Sequence, residues 1–311
     1  MMKVLTVTLN TAYDLIGRLT RLALGEVNKV ESLGLYPAGK GVNVAKVLHD
    51  LGIHSAVTGF LGKQNQSEYQ HMFANLALTD YFQRVPGLTR VNVKITETEA
   101  EVTDLNFQGY VITTEDWQHF VEFSLQIAPE FDLIAVCGSL PDGISPHAFA
   151  KWLTQLNQHH IKLILDTSNQ ALTMGIHSKP WLVKPNYREL ETWIGHSLPT
   201  QADVIHAGRQ LQSTGIENVV VSLGEKGAIW LTQDNIIHAQ PPICDNLIST
   251  VGAGDSMVAG LIYGIVNQQS ISETLTFASA IAALRISQKH VGVTDMTLLQ
   301  PILEKVKITF I

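Results

Sequence analysis

The sequence predicts an α/β fold: a mostly parallel central sheet with helices on both faces and a small β lid over one end. Three observations carry that expectation. Short apolar runs recur and end in Gly, Asn, Asp or Ser; helical patterns lie between them; and one stretch, residues 90–96, alternates strictly. A run without alternation is what a strand covered on both faces requires, and strand–helix–strand repetition sets such strands parallel.

The apolar runs span residues 4–9, 56–61, 133–136, 163–165, 181–183 and 219–221. Between them Val44, Leu48 and Leu51, and later Phe149, Trp152, Leu153 and Leu156, recur at the spacing of one helix face. In residues 90–96, Val91, Val93 and Ile95 fall on one face and Arg90, Asn92 and Lys94 on the other. Residues 101–107 continue the alternation, with Val102 against Thr103 and Leu105 against Asn106. This predicts a half-exposed antiparallel hairpin outside the parallel core. Residues 12–36 are expected to pair with it, giving a lid from about 12–36 and 88–110. No repeat or low-complexity linker interrupts the chain, so 1–311 reads as one domain.

Composition narrows the function classes. With 45% hydrophobic and 16% charged residues, a large core is available. A net charge of −7 argues against broad binding to nucleic acid or anionic membrane, so an anionic substrate has to be held by a few local cations. Two cysteines, Cys137 and Cys244, allow at most one disulfide, unlike a stapled secreted scaffold. No signal-peptide pattern precedes the first apolar run, and no run approaches the ~20 residues of a membrane span. A cytoplasmic protein is the expectation. The twelve histidines show no metal-ligand spacing.

Ligands of parallel sheets sit beyond the carboxyl ends of the strands, so the polar residues there matter most. The strongest signal is Ser249-Thr250-Val251-Gly252-Ala253-Gly254-Asp255-Ser256, followed by an apolar helical run over residues 257–266. Glycines let backbone N–H groups approach an anion, and a helix start adds its positive dipole end. Asp255 beside such a hole can accept a proton from an attacking hydroxyl; the same residue also reads as an ordinary N-cap after a turn. A second signal is Pro37-Ala38-Gly39-Lys40-Gly41-Val42-Asn43-Val44-Ala45. Residues 34–40 fit a Walker A loop as far as Lys40, but Gly41 stands where the magnesium-binding Ser or Thr belongs, and the Walker reading fails.

Residues 38–45 with Gly52 and Gly62 resemble the first signature of the PfkB, or ribokinase-like, carbohydrate kinases, and residues 249–262 resemble the second. The likeness spans essentially the whole chain. Gly39-Lys40-Gly41, Thr89-Arg90-Val91-Asn92-Val93-Lys94 and Gly138-Ser139-Leu140-Pro141 are similar to members acting on phosphorylated hexoses. Trp181-Leu182-Val183-Lys184-Pro185-Asn186 and Ile262-Tyr263-Gly264 lean towards the branch that phosphorylates fructose 1-phosphate.

The resemblance implies a ribokinase-like three-layer sandwich and transfer of phosphate from ATP, with Mg2+, to fructose 1-phosphate. It implies Asp255 as base, and Gly252, Ala253 and Gly254 as an anion hole. Asp14, Gly39, Gly41, Asn43, Asn92 and Ser139 fall at sugar-binding positions, and Arg90 and Lys40 at positions that hold the substrate's own phosphate. Lys184, Asn186, Ser222, Gly224, Gly227, Gly252 and Gly254 are implied for ATP, and Asn186 with Glu189 for magnesium, largely through water. A homodimer joined through the lid is implied too, covering the face of Val91, Val93 and Ile95. Local alternatives stay open: Asn186 and Glu189 spell a capping box, Lys40 and Lys184 fit surface charges, and Asp166 fits either a turn cap or a magnesium–water network. Where the family usually begins Asn-Pro-Ala-Tyr-Asp, this chain has Asn10-Thr11-Ala12-Tyr13-Asp14, which predicts a looser turn before Asp14. Tagatose-6-phosphate kinase, 6-phosphofructokinase and a non-catalytic sugar-phosphate sensor are the alternatives; intact Asp255, Asn186 and Glu189 argue against the sensor.

Overall fold

The computed structural model describes residues 2–97, 102–244, 248–288, 291–293 and 295–311. The chain begins β1 (Val4–Thr8), β2 (Ala12–Leu19), β3 (Glu31–Ala38), α1 (Lys40–Asp50), β4 (Ser55–Gly62) and α2 (Ser67–Asn75). Short strands β5 (Thr79–Asp80) and β6 (Gln83–Val85) lead to β7 (Arg90–Glu97) and β8 (Val102–Asn106). Then come α3 (Thr114–Ile127), β9 (Leu133–Cys137), α4 (Pro146–Asn157), β10 (Lys162–Asp166), α5 (Asn169–Gly175) and β11 (Leu182–Val183). After α6 (Tyr187–Ile194), α7 (Gln201–Ser213) and β12 (Asn218–Ser222) follow β13 (Ala228–Leu231) and β14 (Ile236–Gln240). The chain closes with α8 (Ala253–Val266), α9 (Ile271–Ile286), α10 (Gln300–Leu303) and β15 (Lys307–Phe310).

Among the described residues, eleven strands make one sheet, ordered β15-β14-β13-β12-β11-β10-β9-β1-β4-β5, with β6 also on β4. The six apolar runs read from the sequence are β1, β4, β9, β10, β11 and β12, and all pair in parallel. Three antiparallel strands, β13 to β15, extend one edge. Alternate side chains of a strand face opposite ways, and here both ways are apolar. Ile134 and Val136 of β9 enter a core with α3, α4, α5, α6 and α7, while Leu133 and Ala135 enter another with α1, α8 and α9. The result is a three-layer sandwich. No helix among the described residues is long and apolar enough to cross a membrane.

Four strands form a separate sheet, ordered β3-β2-β7-β8. β7 and β8 are the expected antiparallel hairpin, whereas β7 joins β2 in parallel. Glu101, where the second half of the alternating pattern began, lies outside the described residues. Register puts Asp14 beside Asn92 and Ile16 beside Lys94, so one face carries Arg90, Asn92, Lys94 and Asp14. The opposite face carries the row Leu35, Leu15, Val93 and Leu105. The expected uncovered triplet changes accordingly: Val91 packs on a small core of Tyr13, Tyr69 and Phe73, and Ile95 is buried. On that face Leu35 and Leu105, on the outer strands of the lid, are left exposed.

Candidate active site

A cleft of ≈ 1390 Å³ opens beyond the carboxyl ends of the parallel strands, between the lid and the start of α8. Every site residue expected from the sequence lines it, with one exception. Gly41 turns away from the cleft and onto β1, where an added Cβ would lie 2.6 Å from the Val7 carbonyl oxygen. Its place in the pattern reflects close packing of α1 on β1.

On the floor, Gly252 is the N-cap of α8 in the left-handed conformation, with φ of 80°. That reversal starts the helix at Ala253, earlier than the apolar run suggested, and puts Asp255 inside its first turn instead of at the cap. First-turn N–H groups have no partner within a helix; here Ala253 N donates to the Thr250 carbonyl at 3.2 Å, so the donors this end offers to an anion are the N–H groups of Gly254 and Asp255. Asp255 is buried, and its Oδ2 accepts from Asn43 Nδ2 at 2.8 Å. Burial pushes its carboxyl above the ordinary range, partly opposed by Lys40 and the Asn43 hydrogen bond.

At the end of β10 stands Asp166, 1% exposed, with Lys184 Nζ at 3.1 Å and Lys40 Nζ at 3.6 Å from its Oδ1. Burial pushes the Asp166 carboxyl up, and the two ammoniums together overcome it and hold it below the usual range. Asp166 in turn raises Lys40. Asp166 therefore caps nothing: it is a buried anion shared by two cations. Lys184 is buried, not a surface charge.

The loops after β11 and β12 are joined by a parallel bridge between Asn186 and Ser222, and Ser222 N donates to the Pro185 carbonyl at 3.1 Å. Asn186 and Glu189 do form a reciprocal capping box on α6, with bonds of 2.9 and 2.8 Å. That box engages one oxygen of Glu189, and the residue still lines the cleft. Among the described residues no group of three or more His, Cys, Asp or Glu could hold a metal ion.

The roof is the polar face of the lid. Asp14 Oδ1 accepts from Asn92 Nδ2 at 3.4 Å, and Lys94 Nζ lies 3.9 Å from its Oδ2. Burial raises the Asp14 carboxyl against the pull of Lys94 and Asn92. Arg90 is half-buried, and among the described residues its Nε has no hydrogen-bond partner. The turn leading to Asp14 is not loose. Thr11 N–H donates to Tyr110 Oη at 3.0 Å and Thr11 Oγ1 donates to the Phe60 carbonyl at 2.8 Å. A proline would lack that N–H. Asn10 ties the turn to the loop after β9, donating to Ser139 Oγ at 3.1 Å.

Sequence reasoning missed four contributors. Lys94 shares a period of two with Arg90 and Asn92, a signal that was available. Lys46, one helical turn beyond Asn43, donates to the Pro37 carbonyl at 2.5 Å, and burial pulls its ammonium down to about 8. Asp166 as an ion-pair partner and Asn10 as a tether had no local signature, since their partners lie far along the chain.

Comparison with known proteins agrees with this arrangement. Residues 2–297 match the pfkB family carbohydrate kinase description. The chain is 58% identical over 311 residues to a 1-phosphofructokinase of Haemophilus influenzae, covering 100% of this chain and 99% of that one. It is 50% identical over 304 residues to the 1-phosphofructokinase of Escherichia coli K12, covering 98% and 97%. The fold matches that of phosphofructokinase-2 from Escherichia coli, solved in a tetrameric inhibited form, with a TM-score of 0.88 at 24% identity and coverage of 98% and 99%. A buried carboxylate at a glycine-capped helix end, facing a lid with its own cations, is how this chain carries the family's two signatures. It belongs to the pfkB family of carbohydrate kinases.

Proposed function

We propose that the protein transfers the γ-phosphoryl group of ATP to the 6-hydroxyl of fructose 1-phosphate, giving fructose 1,6-bisphosphate and ADP. The observation that carries this reading is that one cleft holds cations in two separate places. Lys40 and Lys184 share Asp166 on the floor beside Asp255, while Arg90 and Lys94 stand on the lid around Asp14. A simple sugar would use only the first set; a sugar phosphate uses both. The relatives named 1-phosphofructokinase support the choice of sugar.

In this mechanism Arg90 and Lys94 hold the 1-phosphate, Arg90 with an Nε that has no hydrogen-bond partner among the described residues. Asp14, Asn43, Asn92, Gly39 and Ser139 orient the sugar hydroxyls. Asp255, its pKa raised by burial, takes the proton of the 6-hydroxyl as that oxygen attacks in line. The N–H groups around Gly252, Ala253 and Gly254 receive the transferred group. Two ammoniums on one carboxylate leave a net positive charge, so Lys40 and Lys184 steady the phosphoryl oxygens; Lys40 moves here from the sugar-phosphate role its motif implied. Ser222, Gly224 and Gly227 hold the nucleotide, and Asn186 and Glu189 order the waters of its magnesium. Bound with ATP, Mg2+ neutralises charge on the phosphates. The protein works in the cytoplasm as a dimer joined through the lid.

Steady-state ADP release tests the reading with fructose 1-phosphate, fructose 6-phosphate, tagatose 6-phosphate and free fructose. The expected kcat/KM for free fructose is at least ~100-fold below that for fructose 1-phosphate, because it lacks the phosphate that Arg90 and Lys94 would hold. Comparable values overturn the sugar-phosphate reading, and a preference for tagatose 6-phosphate reassigns the substrate.

A further inference from the structure

Behind the anion hole lies a cation that the mechanism above does not use. Arg285, in the last turn of α9, is 3% exposed and does not line the cleft. Its Nη1 donates to the Gln288 carbonyl at 2.6 Å, and among the described residues its Nε has no hydrogen-bond partner. A Cβ on Gly252 would stand 3.3 Å from that Nε. The guanidinium is therefore packed against the residue that caps α8. Burial lowers the Arg285 pKa, and the anion that opposes this is Asp255. The same end of α9 holds the approach to the hole: the Ile286 carbonyl accepts from Ile248 N at 2.8 Å and Ser249 N at 3.2 Å.

Among the described residues no carboxylate sits on Arg285, and a buried cation left so is costly unless an anion arrives. Here the nearest place for one is the turn that Gly252 begins. We infer that Arg285 is a fixed positive charge of the anion hole, acting through Gly252 on the phosphoryl group during transfer. It touches neither substrate and is a positioning residue. The inference rests on the anion-hole role proposed for residues 252–254. A residue that merely closes the C-terminus of α9 would explain the Gln288 bond but not an Nε set against Gly252 with no partner among the described residues.

The test compares Arg285→Met and Arg285→Lys with the wild type, using whichever sugar phosphate the wild type accepts. Failure of the fructose 1-phosphate assignment therefore leaves this comparison readable. Arg285→Met is expected to lose ~10–100-fold in kcat, with KM for both substrates within about 3-fold. The acid limb of its pH profile should move to higher pH, since Asp255 loses a nearby positive charge. Lys40 and Lys46 of α1, Cys137 of β9, Asp166 and Lys184 also face Asp255 and are unchanged in the comparison. Arg285→Lys is expected to keep kcat within about 5-fold, with the limb unmoved. The inference is overturned by wild-type kcat in Arg285→Met, by a kcat loss without movement of the limb, or by a lysine variant as slow as the methionine one. Should Arg285→Met not fold, the lysine variant decides alone: a loss beyond ~50-fold in folded protein overturns the inference.

Discussion

Asp255 and Arg90 stand at opposite walls of the cleft, and each invites a different kinetic signature. Asp255→Asn keeps the shape and the contact with Asn43 but cannot accept a proton. It should lose ~10²–10⁴-fold in kcat while ATP and sugar phosphate still bind, as calorimetry can show; wild-type turnover would remove Asp255 from the mechanism. In the proposed mechanism the ionised carboxylate is the base, and burial raises its pKa, so kcat/KM should rise with pH through a limb lying above the ordinary carboxylate range. Arg90→Ala should raise KM for the sugar phosphate at least ~10-fold and barely change KM for ATP. Lys40→Met should do the reverse, lowering kcat with little effect on sugar KM, since its ammonium sits with Asp166 and Lys184. Equal damage to both KM values by Arg90→Ala would mean that Arg90 supports the lid's fold.

At the scale of elements, α1 shows why a sequence pattern misleads when its neighbours are ignored. The stretch 34–40 imitates a Walker A loop, yet it is the lid strand β3 running into α1. Gly41→Ser would complete the pattern. It would also place a Cβ 2.6 Å from both the Val7 carbonyl oxygen and Thr8 Oγ1, forcing α1 off β1 and moving Lys40 and Asn43. The expected outcome is a loss of about 1–3 kcal/mol in stability and at least ~10-fold in kcat, measured by thermal melting and steady-state kinetics. Unchanged melting and turnover would show that α1 can shift freely. Other elements were legible because their signals are local. Asn186 and Glu189, three residues apart, form the box they spell. The start of α8 was not, because the left-handed turn at Gly252 lets the helix begin within the glycine-rich segment.

For the whole molecule, the lid has a polar face over the cleft and an apolar row, Leu35, Leu15, Val93 and Leu105, turned outward. Leu35 and Leu105 are 48% and 49% exposed, enough unpartnered apolar surface at one place to favour association. On the proposed dimer, Leu35→Asp with Leu105→Asp should give a monomer by sedimentation at concentrations where the wild type is dimeric. A wild-type monomer, or a mutant of unchanged mass, would remove the lid from the interface.

The sequence by itself determined the α/β class, the six parallel strands, the antiparallel pair of β7 and β8, and the glycine-rich turn at residues 252–255. These are set by burial on two faces, period-two alternation and backbone freedom, properties of contiguous residues. Only the tertiary structure decided that Lys40 faces Asp166 and Lys184, that Thr11 pins the turn before Asp14, that β2 runs parallel to β7, and that Arg285 sits behind Gly252. Each of those joins residues far apart in the chain. Strand order brings such residues together, and a charge has a role only once its neighbours and its burial are known.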